Sequence, residues 1–125
     1  MKQIIVMRRT FNGKRVRTGK MIAQGAHASM AAILQRNPSG PSALKDDPRI
    51  VEWLSTAFTK ITVYVDSEEE LLALYEKAKA AGLITALIQD AGRTEFKGVK
   101  TYTAVAVGPD TNENLAPITG QLPLL

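Results

Sequence analysis

Lys20, Gln24 and His27 stand at i, i+4 and i+7 within "TGKMIAQGAHAS" (residues 18–29). At about 100° per residue they fall on one narrow stripe of a helix. The other positions are nearly all apolar or small, so the stripe is the only chemistry this helix displays. Met21, Ile22, Ala23, Ala26, Ala28, Met30 and Ala31 are expected to pack against a sheet. A cation in the first turn is unfavourable to the helix dipole, so Lys20 calls for an anionic partner. Gly25 costs roughly 1 kcal/mol of helix propensity relative to alanine, which points to a contact with no room for a side chain. An ordinary amphipathic helix with a solvated polar face is the competing account. For His27, the sole histidine, a hydrogen-bonded place between helix and sheet is favoured over catalysis.

A second polar cluster is "QDAGRTEFKGVKT", residues 89–101. Asp90 closes an apolar strand, Ala91-Gly92 turns the chain, and Arg93, Thr94 and Thr101 group around the turn. A hairpin loop with an Asp-Gly-type turn explains Asp90 and Gly92 equally well, and by itself the cluster leaves both readings level.

Several sharper chemistries are excluded. "GKRVRTGKM" resembles a phosphate-binding P-loop, but five residues rather than four separate Gly13 from Gly19, and Met21 stands where a magnesium-binding Ser or Thr is needed. One histidine and no cysteine leave a zinc site with carboxylates alone, so no metal and no cofactor is expected. His27 and Asp90 are two members of a Ser-His-Asp arrangement, yet no serine sits in a nucleophile elbow.

Charge is distributed unevenly. Residues 1–45 hold nine of the 16 Lys and Arg and none of the 12 acids, while residues 46–125 carry 7 − 12 = −5. Lys2, Arg8, Arg9, Lys14, Arg15, Arg17 and Lys20 crowd the first strand and the loop after it, a concentration suited to phosphate backbones, and a solvated basic loop that binds nothing is the alternative. The absence of cysteine fits a reducing, cytoplasmic setting. No apolar run approaches a membrane span and the N-terminus does not read as a signal peptide, so a soluble protein is expected.

These groups need elements to hold them. "QIIVM" reads as a buried strand, "FNGKRVRT" as a loop with Asn12-Gly13, and a helix follows over about 19–35. "RNPSGPSALKDD" is an exposed connector. Asp47 and Pro48 open a short helix through Trp53 and Leu54 as N-cap and first residue. "KITVYV" is a strand, Ser67 and Glu70 form a capping box ahead of "EEELLALYEKAKAA", and Gly82 stops that helix. "LITALIQ" and "TYTAVAV" complete the order β-α-α-β-α-β-β. The expected fold is a single α/β domain over residues 1–125, three-layer α/β/α, with a mixed, mostly parallel sheet of about four strands. The last two strands are expected to pair antiparallel. Ligands in such sheets gather at the carboxyl ends of the parallel strands, near Arg8 and Asp90.

Together the clusters resemble the archaeal and eukaryotic type of peptidyl-tRNA hydrolase, distinct from the common bacterial type. The matching pieces are "TGKMIAQGAHAS", "DAGRTEFKG", "TYTAVAVGP" and "ITGQL", in that order over essentially the whole chain. The resemblance implies that Lys20 and Asp90 are active-site residues with Thr94 and Thr101 beside them. Gln24, His27 and Arg93 match further motif positions. Three departures stand out: Gly25 replaces the usual cysteine, "AFTKI" lacks the expected Gly-Gln, and "KGVKT" is longer than usual. The last bears on the assignment of Thr101.

The implied reaction is hydrolysis of the ester joining a peptide to the terminal ribose of tRNA. Lys14, Arg15 and Arg17 would hold RNA phosphates largely without reading sequence. Asp90 would orient or deprotonate water, and Lys20 or Thr94 would stabilise charge growing on the carbonyl oxygen. With an ordinary pKa of about 3.9, a carboxylate is a weak base for water, so orientation matters more. Direct water attack and a transient acyl-threonine both remain open. A homodimer fits the resemblance. The alternatives are a non-catalytic tRNA-binding or RNA-binding domain on the same fold and a domain that contacts a small ligand or protein through "SEEELLALYEK".

Overall fold

The apolar run after Met1 forms strand β1 (Lys2–Arg8), in which Gln3 to Met7 are all buried. Burial on both faces is what a continuous apolar run demands of a central strand. Three more strands, β2 (Lys60–Val65), β3 (Thr85–Asp90) and β4 (Thr101–Asp110), complete a mixed sheet of order β2-β1-β4-β3. β1 and β2 pair in parallel, while β4 runs antiparallel to both β1 and β3. Three strands therefore share one direction, and β4 opposes them from between two of them. The computed structural model describes residues 1–92 and 96–125.

Helices cover both faces, as the three-layer expectation requires. Helices α1 (Thr18–Ile33) and α2 (Pro48–Leu54) enclose a core with Ile5, Met7, Ala104 and Ala106. Helices α3 (Glu68–Ala80) and α4 (Asn112–Thr119) enclose a second core with Ile4, Val6, Val105 and Val107. The alternation along β1 and β4 distributes one apolar set to each face. Small Ala104 and Ala106 lie on the α1 side.

Local hydrogen bonding accounts for the expected boundaries. Asp47 caps α2 by accepting from the Arg49 amide at 2.9 Å. The capping box of α3 forms in both directions: the Glu70 amide donates to Ser67 Oγ at 3.1 Å, and Ser67 Oγ donates to Glu70 Oε1 at 2.9 Å. Gly82, at φ 74°, supplies the left-handed step after α3. Asn12 and Gly13, both at positive φ (50° and 77°), turn a small ribbon that pairs Thr10–Phe11 with Lys14–Arg15.

The structure differs from the sequence-based expectation in four places. The four-stranded sheet is mixed as expected, but only the pairing of β1 with β2 is parallel, because β4 runs antiparallel between β1 and β3. Helix α4 is additional to the expected order; it is only eight residues long and carries Pro117 inside it, yet Thr111 caps it and Leu115 and Ile118 fill the second core. The connector after α1 contains a short ribbon of Leu34–Gln35 with Ala43–Leu44. The buried face of α1 is rotated from the expected one: Met21, Gln24, Gly25, Ala28, Ser29, Ala32 and Ile33 face inward, while Ile22, Ala23, Ala26 and Met30 are exposed. Among the described residues, no helix is long and apolar enough to cross a membrane.

Candidate active site

β1 and β3 run the same way, so Arg8 and Asp90 end at one edge of the sheet, where β4 begins between them. The ribbon after β1 returns the chain to the same region and opens α1 there. No acid lies in the first turn of α1, and its N-cap residue Arg17 makes no side-chain cap. The anionic complement comes instead from another element: Lys20 Nζ donates to Asp90 Oδ1 at 2.8 Å. This is the partner that a lysine in the first helical turn requires.

Asp90 is engaged at both oxygens. Its Oδ2 accepts from the Gly92 amide at 2.8 Å, and Oδ1 lies 3.4 Å from Gln24 Nε2. The Lys20 and Asp90 side chains are only 12% and 15% exposed, so their attraction is screened far less than that of a surface pair. The hydrogen bond from Lys20 is the main influence holding the Asp90 carboxyl below the ordinary carboxylate range. Burial opposes it, and the Gly92 amide and the charges of Lys20 and His27 reinforce it. Asp90 is therefore an anion at neutral pH.

Gln24 links this pair to β4. It is buried, and its Oε1 accepts from Thr103 Oγ1 at 2.6 Å, which turns the amide nitrogen toward Asp90. Thr103 was not among the residues expected from the sequence. It lies where the pairing of β3 with β4 slips, between Ile88 opposite Ala104 and Gln89 opposite Tyr102. The slip is a bulge, which re-aims one side chain. The alternating threonines of "TYTAV" were the available signal, but an irregularity of pairing cannot be read from them.

The other expected residues fall as follows. Thr101 is paired opposite Asp90 and buried, but its hydroxyl donates to the Val99 carbonyl at 2.9 Å. His27 is exposed on the open side of α1, not held between helix and sheet, because the helix turns residues 24, 25 and 28 inward instead. His27 is still the last of the influences that lower the pKa of the Asp90 carboxyl. Lys14, Arg15 and Arg17 are exposed just ahead of α1. Arg93 and Thr94 lie outside the described residues. Gly25 has the close approach expected of it: a Cβ there would meet Met7 Sδ at 3.3 Å and Ile5 Cγ2 at 3.5 Å.

Two aromatic rings stand over the site. Phe96, buried and at φ 62°, meets Phe11 edge to face with centroids 4.9 Å apart, and Lys20 Nζ lies 5.9 Å from the Phe96 ring. Among the described residues, no three His, Asp or Glu side chains come together as a metal-binding group. The arrangement is thus a fixed carboxylate and ammonium at an open sheet edge, with amide and hydroxyl groups behind them and basic residues beside them. It suits polarisation of a carbonyl and alignment of water better than proton abstraction.

Comparison with known proteins gives the family. The family model described as "Peptidyl-tRNA hydrolase PTH2" matches residues 1–125. A protein of Methanocaldococcus jannaschii named peptidyl-tRNA hydrolase is 41% identical over 125 residues, covering all of both chains. Proteins of the same name from Methanopyrus kandleri and Halobacterium salinarum are each 40% identical over 124 residues; the match covers 99% of this chain in both cases, and 97% and 99% of theirs. With a match that runs from the first residue to the last and takes in both polar clusters, the chain belongs to the PTH2 family of peptidyl-tRNA hydrolases.

Proposed function

We propose that this chain, acting as one domain over residues 1–125, hydrolyses the ester between a peptide and the 3′-terminal ribose of tRNA at the Lys20–Asp90 pair. The observation that carries the site is that pair: a carboxylate and an ammonium from two distant elements, 2.8 Å apart and largely withdrawn from water. Asp90 is held ionised, so it aligns the attacking water through its charge. Lys20 stabilises the negative charge that grows on the ester carbonyl oxygen. Gln24, braced by Thr103, keeps Asp90 in place.

Thr101 donates its proton to a backbone carbonyl, and Thr103 donates its own to Gln24. Among the described residues neither hydroxyl donates to a base that could activate it, which favours direct attack by water over an acyl-threonine at these positions. Thr94 and Arg93 keep the roles that the resemblance implies, Thr94 in the catalytic set and Arg93 in substrate binding. His27, exposed on α1, is assigned to substrate binding, as the resemblance implies.

Purified protein is expected to release peptide from peptidyl-tRNA in the presence of EDTA, because no step needs a metal. Binding of tRNA without release would return the chain to the non-catalytic reading, and activity lost in chelator and restored by one divalent ion would overturn the metal-free mechanism. A cytoplasmic homodimer completes the proposal. A groove of about 700 Å³ beside α1, lined in part by Met21, Ile22, Ala26, Met30 and Leu125, leaves Ile22 69% and Met30 53% exposed. An apolar face of this kind is suited to a second copy. The same preparation should then scatter light as twice 13.6 kDa.

Lys14, Arg15 and Arg17 are assigned to RNA phosphates. Each phosphate neutralised contributes roughly −0.7 to −0.9 to the slope of log affinity against log salt. Replacing Arg15 and Arg17 together with alanine should flatten that slope for tRNA. An unchanged slope would place the RNA elsewhere.

A further inference from the structure

Arg8 and Arg9 are neighbours with different surroundings. The Arg9 guanidinium is filled: it donates to both oxygens of Asp66, at 3.1 and 2.9 Å, and lies 3.7 Å from the Tyr64 ring centroid. Arg8 is held but open. Its Nε donates to the Thr10 carbonyl at 3.1 Å, and its guanidinium stands 5.4 Å from the Phe11 centroid. Glu68 is the one carboxylate within ion-pair range among the described residues, at 3.9 Å from Nη1, too long for a hydrogen bond. Among these residues neither Nη group makes a hydrogen bond.

The position of Arg8 gives that openness a use. It closes β1 at the sheet edge of Asp90 and borders a small gap of about 10 Å³ together with Gln24, Thr101, Thr103 and Phe96. Its side chain is 15% exposed, against 40% for Glu68. A guanidinium this far from water gains most from an anion that meets its fork of donors, and a phosphate matches that fork in shape and charge. On the substrate proposed above, the ester and the peptide bonds are neutral. The charge nearest the ester is the phosphodiester that joins the terminal adenosine to the nucleotide before it.

We propose that Arg8 binds this phosphodiester and so sets the terminal ribose with its ester facing Lys20 and Asp90. The inference rests on the hydrolase reading and adds to it a substrate contact at the last internucleotide linkage. Glu68 keeps the empty guanidinium in place and yields to the phosphate.

The test compares two small substrates: an N-acetylaminoacyl ester of adenosine, which has no phosphate, and the same ester of cytidylyl-(3′→5′)-adenosine, which has one. In the wild-type protein kcat/KM should favour the dinucleotide ester by about tenfold or more, the scale of a charge-assisted contact. That ratio should fall toward one in Arg8→Gln and keep part of its size in Arg8→Lys. A ratio equal to wild type in Arg8→Gln would overturn the assignment, as would an equal loss on both substrates, the mark of a purely structural arginine. Binding of cytidylyl-adenosine and of adenosine, neither carrying an ester, separates this inference from the hydrolase reading. If no ester is cleaved, the hydrolase reading fails, and weaker dinucleotide binding in Arg8→Gln still upholds the phosphate contact. Should Arg8→Gln not fold, Glu68→Gln decides: removing the competing carboxylate is expected to tighten the dinucleotide relative to adenosine, and no change would sink the proposal.

Discussion

Asp90→Asn is expected to lower single-turnover ester cleavage by about 10²-fold or more while tRNA affinity stays level or rises. The substitution keeps the shape of the side chain but not its two acceptors. Oδ1 receives Lys20 and Oδ2 receives Gly92, so the asparagine amide nitrogen must face one of these donors. A folded protein is still expected, less stable by roughly 1–3 kcal/mol, the usual penalty for a polar group left unmatched in a partly buried place. The pH dependence follows from the direction of the shift. A carboxyl whose folded pKa lies below its unfolded value of about 3.9 contributes stability above that value and loses it as pH falls through the folded pKa. The stability gap between wild type and Asp90→Asn should therefore be full at neutral pH and close in acid. Catalysis shares the sign: the wild-type rate should show no limb from Asp90 until pH reaches the acid range. A general base working by proton abstraction would need its pKa raised instead, with a limb nearer neutrality. Thermal unfolding, tRNA affinity and cleavage on one preparation check all three. Wild-type cleavage by folded Asp90→Asn would remove Asp90 from the mechanism.

That Lys20 needs an anion was legible from a local anomaly, a cation at the positive end of a helix, while Asp90 as a neighbour in the site came from the family resemblance. The caps of α2 and α3 were legible for a related reason, since each is a hydrogen bond between residues two or three apart. What resisted reading depends on partners far away in the chain. Helix α1 is apolar or small around most of its circumference, so its sequence does not say which side meets the sheet. Only packing against β1, β3 and β4 settles that Gly25 and Ala28 go inward while Ile22 and Met30 stay outside. Thr103 gains its place from a slip in register against β3, and Phe96 from a backbone at positive φ that its residue type does not advertise. Helix α4 was hidden by Pro117 and by its length of eight residues, too short to display a clear period. The family motifs joined Lys20 and Asp90, which periodicity left in separate clusters, and the two side chains do meet. The motifs named Thr101 on the edge of the site, yet the hydroxyl in contact with Gln24 belongs to Thr103.

Gly92→Ala is expected to damage both fold and reaction, and the comparison with Gly98→Ala shows why. Both glycines have positive φ, 81° and 76°, a conformation that costs an alanine roughly 1–2 kcal/mol. A Cβ on Gly98 would meet nothing within 4 Å, so strain is the whole effect there. At Gly92 a Cβ would run into the Val99 backbone, 2.7 Å from its nitrogen and 2.8 Å from its carbonyl carbon, and no side-chain rotation relieves that clash. The chain must move. The Gly92 carbonyl also accepts from the Gly98 amide at 3.0 Å, and the Gly92 amide donates to Asp90 Oδ2, so the movement passes into the carboxylate itself. Strain, clash and lost hydrogen bonds together put the expected destabilisation at about 3 kcal/mol or more, a fall in Tm of roughly 10 °C for a chain of this size. Turnover should drop by about 10²-fold in whatever fraction stays folded, because a displacement near 1 Å in a reacting group has that effect. Gly98→Ala should lose only the strain and keep most of its turnover. Thermal unfolding and single-turnover cleavage of the two variants side by side make the check, and matching results would mean that the close approach of Gly92 to Val99 does not hold Asp90 in position.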